Sequence, residues 1–292
     1  MKAPAKDEVL IDVVSASLNF RDVMLTLNAL PRSSFEESFY GSNLGMECSG
    51  LVTAVGQDVK HVSVGDPVSV VEAGTFSSKL IIPASRVLSL KGYNITLDQA
   101  ATIPSVYSTA YHSLVQLCSL KKGEKVLIQA AAGGVGQAAV SICSYLGADI
   151  YVTASKPKHE YCFNVLGIPK SHIFDSRSVN WFDGLMQATG DEGVDVVLNC
   201  LAGEHQRLGL ECLRSGGRFC EIGKMDIFNN ERLFLFAFRK NIRLLAIDMD
   251  RMLLESQHLV QVMNCSPLNH VRFMAEYYCA MLWVAGRQIQ NI

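Results

Sequence analysis

The chain has 292 residues, 49% hydrophobic and 18% charged, with a formal net charge of -2. At about 150 residues per domain, that length suggests two domains and enough chain to bury a sizeable core. The near-neutral charge argues against nucleic acid or an anionic membrane as the main partner, since both call for a basic surface. No apolar run reaches the ~18 residues of a membrane span. The start, Met1-Lys-Ala-Pro-Ala-Lys-Asp-Glu8, lacks the apolar centre of a signal peptide, so a cytoplasmic location is expected. The nine cysteines (Cys48, Cys118, Cys143, Cys162, Cys200, Cys212, Cys220, Cys265 and Cys279) include no C-x-x-C pair. They read as reduced thiols, with Cys143 and Cys200, in apolar runs, as small buried hydrophobes.

Glu8–Ser15 alternates and predicts a strand, and Ser17-Leu-Asn-Phe-Arg-Asp-Val-Met24 predicts a short helix capped by Asn19. Residues 28–43 are loop-like, around Pro31 and Gly41. Leu44–Gly56 reads as strands broken by glycines, and Val62–Val71 as a strand pair turned at Gly65-Asp-Pro67. Short strands at close spacing predict a β-rich, barrel-like domain over residues 1–103.

The pattern changes at Pro104. Val106–Leu117 has helical spacing, and Lys121-Lys-Gly-Glu124 turns into a strand over 126–130. Then come helix 134–146, strand 149–154, helix 158–166, strand 194–199, helix 204–214 and strands 217–222 and 242–247. Such alternation predicts a doubly wound parallel sheet over 104–249. Residues 250–292 read as mostly helical and amphipathic. The expected fold class is α/β.

The run Val126-Leu-Ile-Gln-Ala-Ala-Ala-Gly-Gly-Val-Gly-Gln-Ala-Ala-Val140 organises this second region. Gly133 and Gly136 hold the second and third places of a G-x-G-x-x-G fingerprint, with Ala131 in place of the first glycine. A strand before the glycines and a helix after them meet the structural context that the motif requires. Phosphate can then rest on the N–H groups and positive dipole end of the helix, provided no side chain intrudes. A dinucleotide is expected; the plainer alternative is a tight turn in another α/β protein.

An acid at the end of the next strand would bind a ribose 2′-hydroxyl and repel a 2′-phosphate. Here Ile150–Ala154 runs into Ser155-Lys-Pro-Lys158, near the ~20-residue spacing expected after the glycines. A hydroxyl and two lysines suit a phosphate dianion, so NADPH is expected. The alternative is that Lys156 and Lys158 are solvated residues at a helix start. Metal is not expected. Zinc needs three or four close Cys, His or acidic ligands, whereas Glu47 lies between Met46 and Cys48 with no adjacent histidine. His112, on an apolar helix, reads as a packed core histidine. With no G-x-S-x-G elbow either, the chemistry falls to the cofactor, as hydride transfer.

Six segments together resemble one family: Ser17–Met24, Leu44–Gly50, Ser105–Tyr111, Gly133–Ala139, Val197–Ala202 and Glu221-Ile-Gly-Lys224. In this order they are similar to the enoyl reductase domain of animal type I fatty acid synthases and related polyketide synthases. That is a zinc-free branch of the medium-chain dehydrogenase/reductases. The resemblance implies a nucleotide domain inserted into a GroES-like catalytic domain, with NADPH in the cleft between them. Hydride would pass to the β-carbon of a trans-2-enoyl thioester on an acyl carrier protein, and the α-carbon would then be protonated. By the same resemblance Ala132, Gly133, Gly134, Val135 and Gly136 line the pyrophosphate, and Ser155 and Lys156 face the 2′-phosphate. Thr109, Asn199, Gly223 and Lys224 lie near the nicotinamide and its ribose, and Asn19 lies on the substrate side. Two roles stay open for Lys158: proton donor or enolate ligand, and 2′-phosphate contact. The family pairs this lysine with an aspartate, for which Asp175 is the candidate; the proton donor could equally be water.

Tyr277–Ile292 resembles the last helix of the family, and the chain stops where relatives continue into a Gly-Lys-Val-Val strand. The resemblance therefore implies a piece of a larger synthase with other domains as partners, or else a shortened product; a homodimer is compatible with either. Two other functions remain open: a free-standing NADPH quinone or alkenal oxidoreductase, and an inactive NADPH-binding domain.

Overall fold

A computed structural model describes residues 3–31 and 33–255. The strands, in chain order, are β1 (Glu8–Ala16), β2 (Glu47–Val55), β3 (Pro67–Val71), β4 (Lys79–Pro83), β5 (Val87–Ser89), β6 (Lys125–Ile128), β7 (Asp149–Ala154), β8 (Ile173–Asp175), β9 (Val194–Asn199), β10 (Leu213–Glu221) and β11 (Arg243–Ala246). The helices are α1 (Phe20–Thr26), α2 (Ser33–Glu36), α3 (Leu97–Ala100), α4 (Pro104–Tyr111), α5 (Gly134–Leu146), α6 (His159–Asn164), α7 (Trp181–Ala188), α8 (Glu204–Glu211) and α9 (Met225–Phe228). They form two compact units, one up to Ser108 and again from Met249, the other Thr109–Asp248.

In the first unit a five-stranded sheet runs β4-β1-β2-β3-β5, with antiparallel neighbours throughout. Alternation in β1 and β3 sends Val9, Ile11, Val68 and Val70 into a core shared with Cys48, Val52 and Ile82. β2 is one unbroken strand, not the interrupted one expected from its glycine. A Cβ on Gly50 would collide with the Asp12 carbonyl of β1, beside the register shift between Val13 and Ser15. Gly50 therefore permits close strand approach without ending the strand. The expected strand pair at 62–71 is half right, since only Pro67–Val71 is extended. Residues 63–66 form a turn, closed by Asp66 N–H to Ser63 O at 3.1 Å and Ser63 N–H to Asp66 Oδ2 at 3.0 Å.

The second unit is a six-stranded sheet in the order β11-β10-β9-β6-β7-β8, with parallel pairing between all neighbours. The central strands are apolar on both faces because helices cover both sides: all of β9 and five of the six residues of β7 are buried. Trp181 of α7 anchors one core cluster with Leu185, Val197, Leu208 and Phe219, and its Nε1–H donates to His205 Nδ1 at 2.9 Å. Helix α8 stops at Glu211, earlier than its apolar spacing predicts, and the chain enters β10 directly. Lys240 Nζ satisfies the freed carbonyls of Glu211 and Leu213 at 2.8 and 2.9 Å. Helix α4 continues as a π-helical turn over His112–Leu117. His112 is half-buried there, bonded to Gln116 Oε1 at 2.6 Å, so it is not the enclosed core residue expected. Residues 249–255 are helical; the rest of the region read as helical from 250, including the last family helix, lies outside the described residues. No helix among the described residues is long and apolar enough to cross a membrane.

Candidate cofactor and active site

The glycine turn stands where the sequence places it, between β6 and the 13-residue helix α5. Gly133 is the N-cap residue in extended conformation, and no side chain caps the helix. The first-turn N–H groups therefore face outward with the helix dipole behind them, a ready anion cradle. Gly133 and Gly134 are exposed, and Gly136 is buried. A Cβ on Gly136 would lie 2.6 Å from both Ala130 O and Ala131 Cα, so only glycine lets the helix start this close to the turn. Ala130, at φ 52°, makes that turn left-handed. Buried Thr153 of β7 holds it from beneath, its Oγ1 accepting from Ala130 N–H at 3.2 Å and its carbonyl from Ala131 N–H at 3.0 Å. Thr153 was invisible as a site residue because its role depends on β7 lying beside β6. Ala132 and Val135 are half-buried on the flanks of the turn. These features fit a dinucleotide pyrophosphate.

Ser155 follows β7 and leads into a 3-10 turn over Lys156–Lys158. Both lysines are exposed. Register between β7 and β8 sets Ala154 against Asp175, which brings the Asp175 carboxylate 3.8 Å from Lys156 Nζ. Asp175 also accepts from Arg177 N–H at 3.0 Å. The aspartate thus pairs with Lys156, the neighbour of the lysine with which the resemblance pairs it.

Asn199 is the last residue of β9, and Gly223 lies in the turn after the neighbouring strand β10. Asn199 is fully buried, and its amide is already engaged. Its Nδ2 donates to Leu201 O at 2.7 Å and Glu221 Oε2 at 2.6 Å, while its Oδ1 accepts from Leu201 N–H at 3.3 Å. Glu221, absent from the expected site, accepts also from Gln206 and from Gly223 N–H. Burial pushes its carboxyl up to about 6 against the hydrogen bonds of Gln206, Asn199 and Gly223 that favour the charged form, with Asp226 adding to the rise. A small pocket here is lined by Cys200, Leu201, Gln206, Glu221, Gly223 and Asp226. Cys200 is exposed, which corrects its reading as a buried hydrophobe: it falls one residue past the end of β9, where the core stops. Lys224 is held in an ion pair with Asp248 at 2.5 Å. Thr109, half-buried on α4, accepts at its carbonyl from Ser113 Oγ at 2.6 Å.

Asn19 belongs to the first unit. It sits at the N-cap of α1, where Asp22 accepts from its N–H at 2.9 Å, but its side chain turns to Glu47 Oε1 at 3.0 Å and Ser17 Oγ at 3.1 Å. Glu47 is buried and also accepts from Ser17 Oγ at 2.7 Å and Ser105 N–H at 2.7 Å. Burial raises its pKa, opposed by those hydrogen bonds. Among the described residues no three His, Cys, Asp or Glu side chains come together in a group that could hold a metal.

A family model described as the alcohol dehydrogenase GroES-like domain matches residues 5–92. Another, described as zinc-binding dehydrogenase, matches residues 134–263. The highly reducing polyketide synthase phiA of Fungal sp. (strain ATCC 74256) is 38% identical over 244 residues, which are 83% of this chain and 9% of that protein. The reducing polyketide synthase FUB1 of Gibberella moniliformis is 34% identical over 294 residues, 98% of this chain and 12% of that protein. The chain thus spans about a tenth of the length of the curated relatives it matches. The solved CurK enoyl reductase is 34% identical with a TM-score of 0.80, and the match covers 98% of this chain and 82% of that structure. With its antiparallel GroES-like sheet and its parallel nucleotide sheet, the chain belongs to the enoyl reductase domains of polyketide synthases, within the medium-chain dehydrogenase/reductases.

Proposed function

We propose that this chain is an NADPH-dependent enoyl reductase, acting within a larger synthase on a trans-2-enoyl thioester carried by an acyl carrier protein. The observation that carries the cofactor half is the uncapped, glycine-lined start of α5, with Ser155 and Lys156 at the end of the neighbouring strand. Ala132 to Gly136 hold the pyrophosphate by backbone N–H groups. Ser155 and Lys156 take the 2′-phosphate, the lysine as a point charge. Asp175, 3.8 Å from Lys156, orients that lysine. Thr109, Asn199, Gly223 and Lys224 border the nicotinamide end. The bound cofactor supplies the hydride for the β-carbon. The exposed ammonium of Lys158 then stabilises the developing enolate oxygen or delivers the proton to the α-carbon, an interaction that gains strength only as charge appears. Asn19, fixed by Glu47, faces the acyl substrate. Residues 104–249 are the nucleotide domain in this reading, and 1–103 with 250–292 the catalytic one.

The test is NADPH oxidation by the purified chain with crotonyl thioester, set against a small quinone. Turnover of the thioester is expected. Turnover of quinone alone would make the chain a free-standing quinone reductase, and binding without turnover of either would make it a cofactor-binding domain. Lys156→Ala is expected to weaken NADPH about tenfold, the scale of one charge-assisted contact, and to leave NADH unchanged. Equal losses for both cofactors would remove the 2′-phosphate role.

A further inference from the structure

Three hydrogen-bond donors from three separate elements converge on one buried carboxylate at the carboxyl ends of β9 and β10. Glu221 is 3% exposed. Its Oε2 accepts from Asn199 Nδ2 at 2.6 Å and Gln206 Nε2 at 2.9 Å, and its Oε1 accepts from Gly223 N–H at 2.7 Å. Asn199 ends β9, Gln206 lies on α8, and Gly223 is in the turn after β10. Asp226 adds a second tie between the same turns, accepting from Gly203 N–H at 2.7 Å. In an open parallel sheet, ligands bind outside these strand ends, so the fastened turns lie on the ligand side.

No lysine or arginine among the described residues forms an ion pair with Glu221; the two nearest in sequence, Arg218 and Lys224, are engaged with Glu124 and Asp248. A buried carboxylate without a cation carries a desolvation penalty that a neutral side chain would avoid. What the ionised carboxylate alone offers is acceptance on both oxygens at once. An amide in the same place must set its NH2 against at least one of the three donors.

We propose that Glu221 is a positioning residue for the nicotinamide end of the cofactor, its ionised form fixing the Asn199 side chain and the Gly223 turn where they border it. This rests on the reading above that those two residues border the nicotinamide. The contact is direct: the Gly223 N–H donates to Glu221 Oε1 at 2.7 Å, and a Cβ on Gly223 would lie 2.7 Å from that oxygen and 3.2 Å from Cys200 O. Both Asn199 amide hydrogens and its Oδ1 are engaged, so Glu221 fixes that buried side chain and, through the Gly223 N–H, the turn that lines the pocket.

The groups facing Glu221 are few. Its pKa is raised first by burial and least by Asp226 of α9; the Cys200 thiol, raised mainly by burial, and the Cys220 thiol, raised mainly by Cys118, feel its charge as a smaller cause. Helix α8 presents neutral Gln206, while its His205 is bonded to Trp181. On its own strand Arg218 is held by Glu124, at 2.9 and 2.6 Å. The turn after β10 adds only the Lys224–Asp248 pair. A pH effect from this cluster therefore belongs chiefly to Glu221.

The experiment is fluorescence titration of the chain with NADPH from about pH 5 to about pH 8, beside Glu221→Gln and Gln206→Ala. Wild-type affinity is expected to fall as the pH drops through about 6. A 2′-phosphate titrates in the same range, so Glu221→Gln, which leaves the phosphate in place, is the reference. That variant is expected to bind about tenfold more weakly at the upper pH and to show a shallower pH slope. Gln206→Ala removes one donor to the ionised form and is expected to move the midpoint upward. Glu221→Gln binding with wild-type affinity and slope overturns the proposal. If Glu221→Gln does not fold, an unmoved midpoint in Gln206→Ala overturns it. A wild-type chain that binds neither NADPH nor NADH instead overturns the functional reading beneath it.

Discussion

Each unit of this molecule buries one carboxylate against an asparagine amide and a main-chain N–H. In the antiparallel unit it is Glu47, with Asn19, Ser17 and the Ser105 N–H; in the parallel unit it is Glu221, with Asn199, Gln206 and the Gly223 N–H. Both are pushed above the ordinary carboxylate range, first of all by burial. They differ in what the donors belong to. Glu47 ties the segment after β1 to the start of α4 from the first residue of β2, so losing it would release two chain segments. Glu221 ties turns at a pocket whose lining includes its donors Gln206 and Gly223. The same device thus fastens the fold in one unit and shapes a ligand face in the other.

That contrast predicts unequal costs. Glu47→Ala removes the acceptor shared by the segment after β1 and the start of α4 and is expected to lose about 3 kcal/mol of stability, against about 1 kcal/mol for Glu221→Ala, where Asp226 still ties the same two turns through the Gly203 N–H. Urea denaturation of the two variants measures both. Equal losses would mean that Glu221 fastens the fold as Glu47 does, and the contrast would break.

The pH dependence follows from the sign of the shifts. A carboxyl whose folded pKa is raised stabilises the fold below its unfolded value and loses that contribution as pH rises through the folded value. For Glu221 the window runs from about 4.5 to about 6 and is worth about 2 kcal/mol. Glu47 acts in the same direction. The Glu221 contribution, read as the difference between wild type and Glu221→Gln, should therefore fall over this window while wild-type NADPH affinity rises. A Glu221 contribution to stability that falls over this window with no rise in affinity would contradict a ligand-facing role for Glu221.

The glycine turn and the strand alternation around it were legible because both depend on near neighbours in sequence: a tight turn needs glycine, and a strand buried on both faces is apolar throughout. β4, β5, β8 and α7 were not read, being short or set off by weak turn signals. The missed β8 carried a consequence, because its register with β7 is what delivers Asp175 to Lys156. Gly50 misled for a related reason: its meaning lies in the Asp12 carbonyl on another strand. Glu221 could be seen within a motif, yet the residues that make it an acceptor come from β9 and α8, and no local spacing reveals them.

The smallest expected effect separates the two sides of the Glu221 turn. Lys224 was expected near the nicotinamide by resemblance, but its Nζ is held by Asp248 at 2.5 Å, with side chains 37% and 45% exposed. A partly exposed pair of this kind is worth roughly 0.2–1 kcal/mol. Lys224→Ala should therefore change stability by less than about 1 kcal/mol. If the ion pair with Asp248 persists when cofactor is bound, the same variant should leave NADPH affinity within about twofold of wild type, a difference of well under 1 kcal/mol. Calorimetric titration of Lys224→Ala beside Glu221→Gln decides which member of the motif the cofactor depends on. A loss in the lysine variant with none in the glutamine one would assign the ligand face to Lys224, and would leave Glu221 as a fastener of the fold like Glu47.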